Sequence, residues 1–169
     1  MPPAVRLVEL PPAAMTALLN EDLAGAAAIT GVPLTGYFTT GESKSLWRFR
    51  LAQLARDPSH APWLVRVAVA EPEGHVVGHA GFHGAPDNGT VTVGYSVDPA
   101  HRRKGYARAM LISLMEYAAA EPSVTTVRAT ISPDNEASLA TIAGQGFTRV
   151  GERWDEEDGR ELIFDRPAR

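Results

Sequence analysis

The densest chemical signal in this sequence lies in seven residues, His101, Arg102, Arg103, Lys104, Gly105, Tyr106 and Ala107. Three consecutive cations and a glycine stand just ahead of an apolar-periodic run. The first N–H groups of a helix have no intrahelical partner and the dipole is positive there, so a turn of this composition suits an anion such as a phosphate. Cations at a helix start are disfavoured unless an anion sits among them. Gly105 brings no side chain, which leaves the backbone open to close approach. The plainer alternative is a solvated basic loop.

Two elements must hold that turn. Upstream, Val91, Val93, Tyr95 and Val97 alternate at period two, which predicts a strand with one apolar face, ended by Asp98-Pro99 because proline has no N–H for a ladder. Downstream, Ala107, Met110, Leu111, Leu114, Met115 and Ala118 fall on one helical stripe. Elsewhere Ala4 to Leu10 reads as a strand, and Pro12 starts a helix with Met15, Leu18, Leu19 and Leu23 on one face. Trp47, Leu51 and Leu54 align on a second helix. Trp63 to Val69 and Val76 to His83 read as strands, and Asp87-Asn88-Gly89 as a hairpin turn. Thr125 to Ile131 is a further strand, Asn135 to Ala143 a helix, and Phe147 to Trp154 with Arg160 to Asp165 a closing hairpin. Helices alternate with strands only in part, which predicts a mixed sheet covered by helices.

Composition fits one domain spanning residues 1–169. The absence of cysteine removes disulfides, a thiol nucleophile and cysteine metal sites. A net charge of −4 speaks against a nucleic-acid surface, so the cationic turn is a local exception suited to a small anion. The first ten residues lack the charged start and long apolar core of a signal peptide, and no run approaches membrane-spanning length. A cytoplasmic protein with no membrane partner is expected.

Arg102, Gly105 and Ala107, behind a strand ending in Val97-Asp98-Pro99, resemble the pyrophosphate-binding signature of the GNAT acetyltransferase superfamily. Pro133-Asp134-Asn135-Glu136-Ala137-Ser138, followed by an apolar helix and Gly146-Phe147, resembles the segment after that family's fifth strand. The likeness is nearest to bacterial ribosomal-protein N-terminal acetyltransferases. It covers Trp63 to about Asp165 by motif, and Val5 to Pro62 by the pattern of elements alone. It implies an α/β (mixed α+β) fold, with a mostly antiparallel sheet of six to seven strands and about four flanking helices.

The resemblance also implies acetyl transfer from acetyl-coenzyme A to an amine acceptor, a small molecule or a protein N-terminus, without a metal, in a monomer or homodimer. The strand from Thr90 to Val97 would splay from Thr125 to Ile131 and pair with the pantetheine arm through Tyr95, Ser96 and Val97. The backbone of Arg103, Lys104, Gly105, Tyr106 and Ala107 would hold the pyrophosphate, and the side chains of Arg102, Arg103 and Lys104 would add charge. Asn135 would bond the pantetheine. The alternative is a non-catalytic acyl-coenzyme A sensor, kept open by two departures from the family pattern. Ile142 stands where many relatives carry a tyrosine acid, which leaves Ser138 as the proton donor to the leaving thiolate. Thr92 stands where many carry glutamate, so the base falls to His83, which titrates near neutrality, or to a water ordered by Asp98. Tyr37, Phe38, Trp47 and Phe49 are candidates to wall the acceptor pocket, with core packing as the alternative.

Other patterns carry less. Gly36 to Ser43 has P-loop spacing, yet Glu42 occupies the position of the required lysine and would repel a nucleotide. His75, His79 and His83 recur at even spacing, but four residues of strand cover ~13 Å, too far for three ligands on one ion. Asp155 to Asp158 reads as a solvated hairpin tip, with the steering of a cationic acceptor as its functional alternative.

Overall fold

A computed structural model describes residues 2–169. Seven strands form one sheet in the order β1-β2-β3-β4-β5-β7-β6, with β1 Ala4–Glu9, β2 Arg66–Glu71, β3 Val76–Phe82, β4 Thr90–Val97, β5 Thr126–Ile131, β6 Thr148–Asp155 and β7 Gly159–Pro167. Every neighbouring pair is antiparallel except β4 and β5. Asp87 and Thr90 exchange backbone hydrogen bonds of 3.0 and 2.9 Å across Asn88 and Gly89. Both central residues are left-handed, at φ 49° and 80°, the backbone that matches the twist of a tight hairpin.

Among the described residues five α-helices cover this sheet: α1 Pro12–Leu19, α2 Leu23–Thr30, α3 Gly41–Arg56, α4 Tyr106–Ala120 and α5 Glu136–Ile142. The stripe expected to run unbroken from Pro12 to Leu23 is two helices. Glu21 turns left-handed at φ 57°, and the Asp22 carboxylate accepts the Gly25 N–H at 2.9 Å, so a new helix starts at Leu23. The Gly36 to Ser43 segment is a 3₁₀ turn over Gly36–Thr39 followed by the start of α3, where the Thr40 hydroxyl accepts the Ser43 N–H. Glu42 thus sits in the first turn of α3, where a carboxylate is favoured by the dipole.

The alternation of β2 assigns the two cores. Val67 and Val69 face Ala14, Met15 and Leu18 of α1 and Trp47 of α3, while Ala68 and Ala70 belong to the opposite layer with Met110, Leu111 and Leu114 of α4. Val91 and Val93 of β4 are buried in the α4 layer, with Tyr95 and Val97 packed against it, which anchors this strand on the sheet.

Candidate active site

β4 and β5 pair only at Thr90 with Thr126, Val91 with Val127 and Thr92 with Arg128, and then part. The His83 N–H donates to Thr92 O at 2.9 Å and the Asp98 N–H to Val77 O at 2.8 Å, so the even-numbered residues of β4 turn their backbone groups toward β3. By alternation Val93, Tyr95 and Val97 turn theirs into the gap beside β5. Arg102 Nε reaches back to Val97 O there, at 3.2 Å.

A cavity of about 650 Å³ opens from that gap. Tyr95, Ser96, Val97, Arg102, Arg103, Gly105, Tyr106, Ala107, Asn135 and Ser138 line it, with His101, Arg108 and Thr141. Lys104 is exposed at the tip of the turn and does not line it. Gly105 caps α4 with no side-chain bond to the first-turn N–H groups, and no acid stands in that turn. Arg103 and Gly105 are both left-handed, at φ 62° and 86°, which gathers consecutive N–H groups toward one side. Glycine is required at position 105 by that backbone and by Pro3, whose Cγ would lie 3.0 Å from an added Cβ. What a side chain would strike is therefore the N-terminal arm behind the turn. His101 stacks on His75 with ring centroids 4.9 Å apart, and its Nδ1 is buried without a partner.

Asn135 caps α5, its Oδ1 accepting the Ser138 N–H at 3.1 Å, while the residue also lines the cavity. The Ser138 and Thr141 hydroxyls lie beside the Tyr95 phenol; burial pushes the phenol pKa up and these two neighbours oppose the shift. Ile142 is buried in the core at 4% exposure, so a side chain there points away from the cavity. Asp98 spends its carboxylate on Thr35 Oγ1 and the Ala100 N–H and lines neither cavity.

A second cavity, about 470 Å³, lies on the other side of β4. Tyr95 and Ser96 belong to both walls. Tyr37 lines the second cavity, hydrogen-bonds the Ser96 hydroxyl and stacks on His79 at 5.8 Å. The other three aromatic candidates do not line it. Phe38 and Trp47 are fully buried and stacked on each other at 5.9 Å, and Phe49 stands out at the surface at 59% exposure. His83 lines the cavity, its Nε2 3.1 Å from where a Gly94 Cβ would be. Burial, then the Arg50 charge, push His79 down to about 4. His83, although one side opens to solvent, is pushed the same way to about 4 by surrounding protein, Arg50 and Arg153. Both imidazoles are neutral at pH 7. The histidines do not converge: His75 is stacked on His101 while His79 is packed against Tyr37 and Trp47.

The acidic hairpin tip is more than a solvated turn. Asp155 Oδ1 accepts the N–H groups of Glu157 and Asp158, each at 2.9 Å, and this turn brings Glu157 and Asp158 to the second cavity opposite Glu42. Sequence reasoning passed over Arg50, Ser43 and Thr141. Arg50 had a readable signal, since it lies three residues after Trp47, a cation on the apolar stripe of its helix.

The family model for the acetyltransferase (GNAT) domain matches residues 13–148. L-2,4-diaminobutyric acid acetyltransferase of Streptomyces anulatus is 40% identical over 70 residues, which are 41% of this chain and 37% of that protein. The chain matches less than half the length of its curated relatives, between 37% and 44%. A phosphinothricin acetyltransferase from Sinorhizobium meliloti in complex with AcCoA superposes with a TM-score of 0.62 at 20% identity, covering 99% of this chain and 89% of that one. Ribosomal-protein-S5-alanine acetyltransferase from Vibrio fischeri gives 0.61 at 19% identity, over 97% and 92%. At such identities the structures establish the shared fold.

Proposed function

This chain belongs to the GNAT acetyltransferase family, and on that premise we propose that it transfers an acetyl group from acetyl-coenzyme A to a primary amine by direct attack in a ternary complex. The observation that carries the reading is the parting of β4 from β5 after Thr92, which leaves strand backbone free beside an uncapped helix start. The thioester supplies an electrophilic carbonyl carbon and a thiolate leaving group.

The residues divide the work. The N–H groups of the turn and of the opening of α4, from Arg103 to Arg108, hold the pyrophosphate, Arg102 and Arg103 add charge to it, and Lys104, outside the cavity, adds charge toward the ribose phosphate. Val93, Tyr95 and Val97 pair with the pantetheine as an added strand would, helped by the Asn135 amide. A backbone N–H in the Tyr95 to Val97 stretch holds the oxyanion as the amine nitrogen bonds to carbon. As the C–S bond breaks, Ser138 gives the sulfur a proton, with the Tyr95 phenol and Thr141 behind it to restore the hydroxyl. His83 accepts the hydrogen bond of the incoming amine, and its low basicity leaves the amine's proton to water. The acceptor therefore enters as the free amine, so turnover rises with pH as the amine deprotonates.

The motifs around Gly105 and Asn135 support a place near the ribosomal-protein N-terminal acetyltransferases, while the Streptomyces relative's name points to a small diamino acid. A screen of amines for acetyl-coenzyme A-dependent thiol release tests the activity. Release with at least one amine is expected, insensitive to chelators. Tight coenzyme A binding with no release for any amine would overturn catalysis in favour of a sensor.

A further inference from the structure

The second cavity holds a cation that the catalytic scheme does not use. Arg50, in the third turn of α3, is 9% exposed and its guanidinium lines the cavity. Only Nη1 donates hydrogen bonds, to Gln53 Oε1 at 2.9 Å and to His83 O at 3.1 Å, and the guanidinium lies over the exposed Phe49 ring at 5.3 Å from its centroid, a contact that brings no countercharge. Nε is buried with no partner, and Arg50 makes no ion pair among the described residues. Its imidazole neighbours His79 and His83 have no negative form to offer it. Glu42, Glu157 and Asp158 line the same cavity, yet none reaches within 4.0 Å of the guanidinium. A guanidinium cannot shed its proton, so a buried and unpaired one calls for an anion.

We propose that Arg50 anchors the carboxylate of the acceptor, which makes the preferred substrate a small amino acid with its carboxylate free. The inference rests on the acetyl-transfer reading and narrows it. The planar fork of Arg50 matches a carboxylate and has donors to spare. The acids lining the cavity repel the substrate's carboxylate and accept hydrogen bonds from its amine end, which turns the carboxylate inward and gives the entering molecule a defined orientation. His83, whose carbonyl Arg50 holds, lies against Gly94 of β4, so a carboxylate on Arg50 leaves the amine near the wall shared by both cavities. There the amine nitrogen bonds to the acetyl carbon, the C–S bond breaks, the thiolate takes a proton, and the amine's displaced proton leaves to water. A protein amino terminus or a polyamine brings no carboxylate at this distance and leaves Arg50 unpaired.

The test is a panel of amino acids, each assayed beside its carboxamide and beside the same amine lacking the carboxyl group. For the best amino acid, kcat/KM is expected to exceed that of the carboxamide by about tenfold or more, the scale of a charge-assisted bond. Arg50→Gln should collapse that ratio toward one through KM, and Arg50→Lys should recover part of it. Coenzyme A affinity and melting temperature report whether each variant is folded, and the wild-type ratio needs no variant. Calorimetry of the same ligands with the coenzyme A complex reads the preference without turnover. If that preference appears while no amine is acetylated, the transfer reading fails and the Arg50 site stands. Carboxamides, polyamines or an N-terminal peptide bound or turned over as well as the amino acids would overturn the proposal.

Discussion

The two cavities meet at Tyr95 and Ser96 but are built on different principles. The cavity toward α4 is made mainly of backbone: strand edges freed by a parting sheet, the N–H groups of a helix start, and a left-handed glycine. Its polar groups are placed by main-chain geometry, so a short contiguous motif suffices to specify it. The cavity toward α3 is made of side chains from separate elements: Tyr37, Arg50, His79, His83 and Asp158. Its character is electrostatic, with a buried cation and two neutral imidazoles inside and carboxylates opposite. On the proposed reading, the backbone site on one side of β4 takes the donor and the side-chain site on the other chooses the acceptor.

The largest expected effect attacks the side-chain cavity through pH. His79 is held near pKa 4 when folded against 6.5 when unfolded, so the unfolded chain binds the proton more readily. Its contribution to stability is complete above about pH 6.5 and is lost as pH falls toward 4. A gap of this size is worth on the order of 3 kcal/mol. Melting temperatures across that window should fall faster for the wild type than for His79→Phe; equal slopes would remove the buried imidazole from the account. On the backbone side, Gly105→Val forces a branched residue to φ +86° against Pro3. Strain of that kind costs roughly 1–3 kcal/mol, enough to weaken coenzyme A binding on the order of tenfold to a hundredfold if the turn distorts. Calorimetry that finds affinity intact would break the link between that turn and the cofactor.

The same contrast explains what the sequence makes legible. The strand from Val91 to Val97, the Asn88-Gly89 turn and the α4 stripe are written in local periodicity and turn chemistry, and the structure carries each of them. The split between α1 and α2 was hidden because Leu23 stays in phase with Leu19, while the break depends on one left-handed residue, Glu21. Trp47 and Phe38 look like pocket aromatics by type. Their burial is decided by which face of α3 meets β2, a tertiary fact. Glu157 and Asp158 approach Glu42 over more than a hundred residues of chain, and no local pattern announces such a meeting.

Arg102→Ala is a milder challenge to the backbone site. The side chain gives up one bond, to Val97 O, and one positive charge beside the helix start, while the N–H groups remain. Coenzyme A affinity should fall by about tenfold, the scale of one charge-assisted bond, with the amine KM unchanged. Titration of both ligands checks this, and a rise in amine KM alone would move Arg102 to the other cavity's account.

The smallest effect belongs to Ser138, on the wall where the proposed reaction puts the sulfur. Its structural service to α5 is through the backbone N–H, which the Asn135 cap holds and which alanine retains. Ser138→Ala should therefore leave melting temperature and coenzyme A affinity nearly unchanged, whereas Asn135→Ala should cost about 1 kcal/mol of stability through the lost cap. A sole general acid is worth roughly a hundredfold or more, but the Tyr95 phenol and the Thr141 hydroxyl remain beside the vacated position, so turnover should fall only about threefold to tenfold. Adding Tyr95→Phe should deepen the loss beyond the product of the two single effects, because each hydroxyl stands in for the other. Independent, multiplicative losses would show that the two do not share the proton, and an unchanged Ser138→Ala rate would remove the serine from the chemistry.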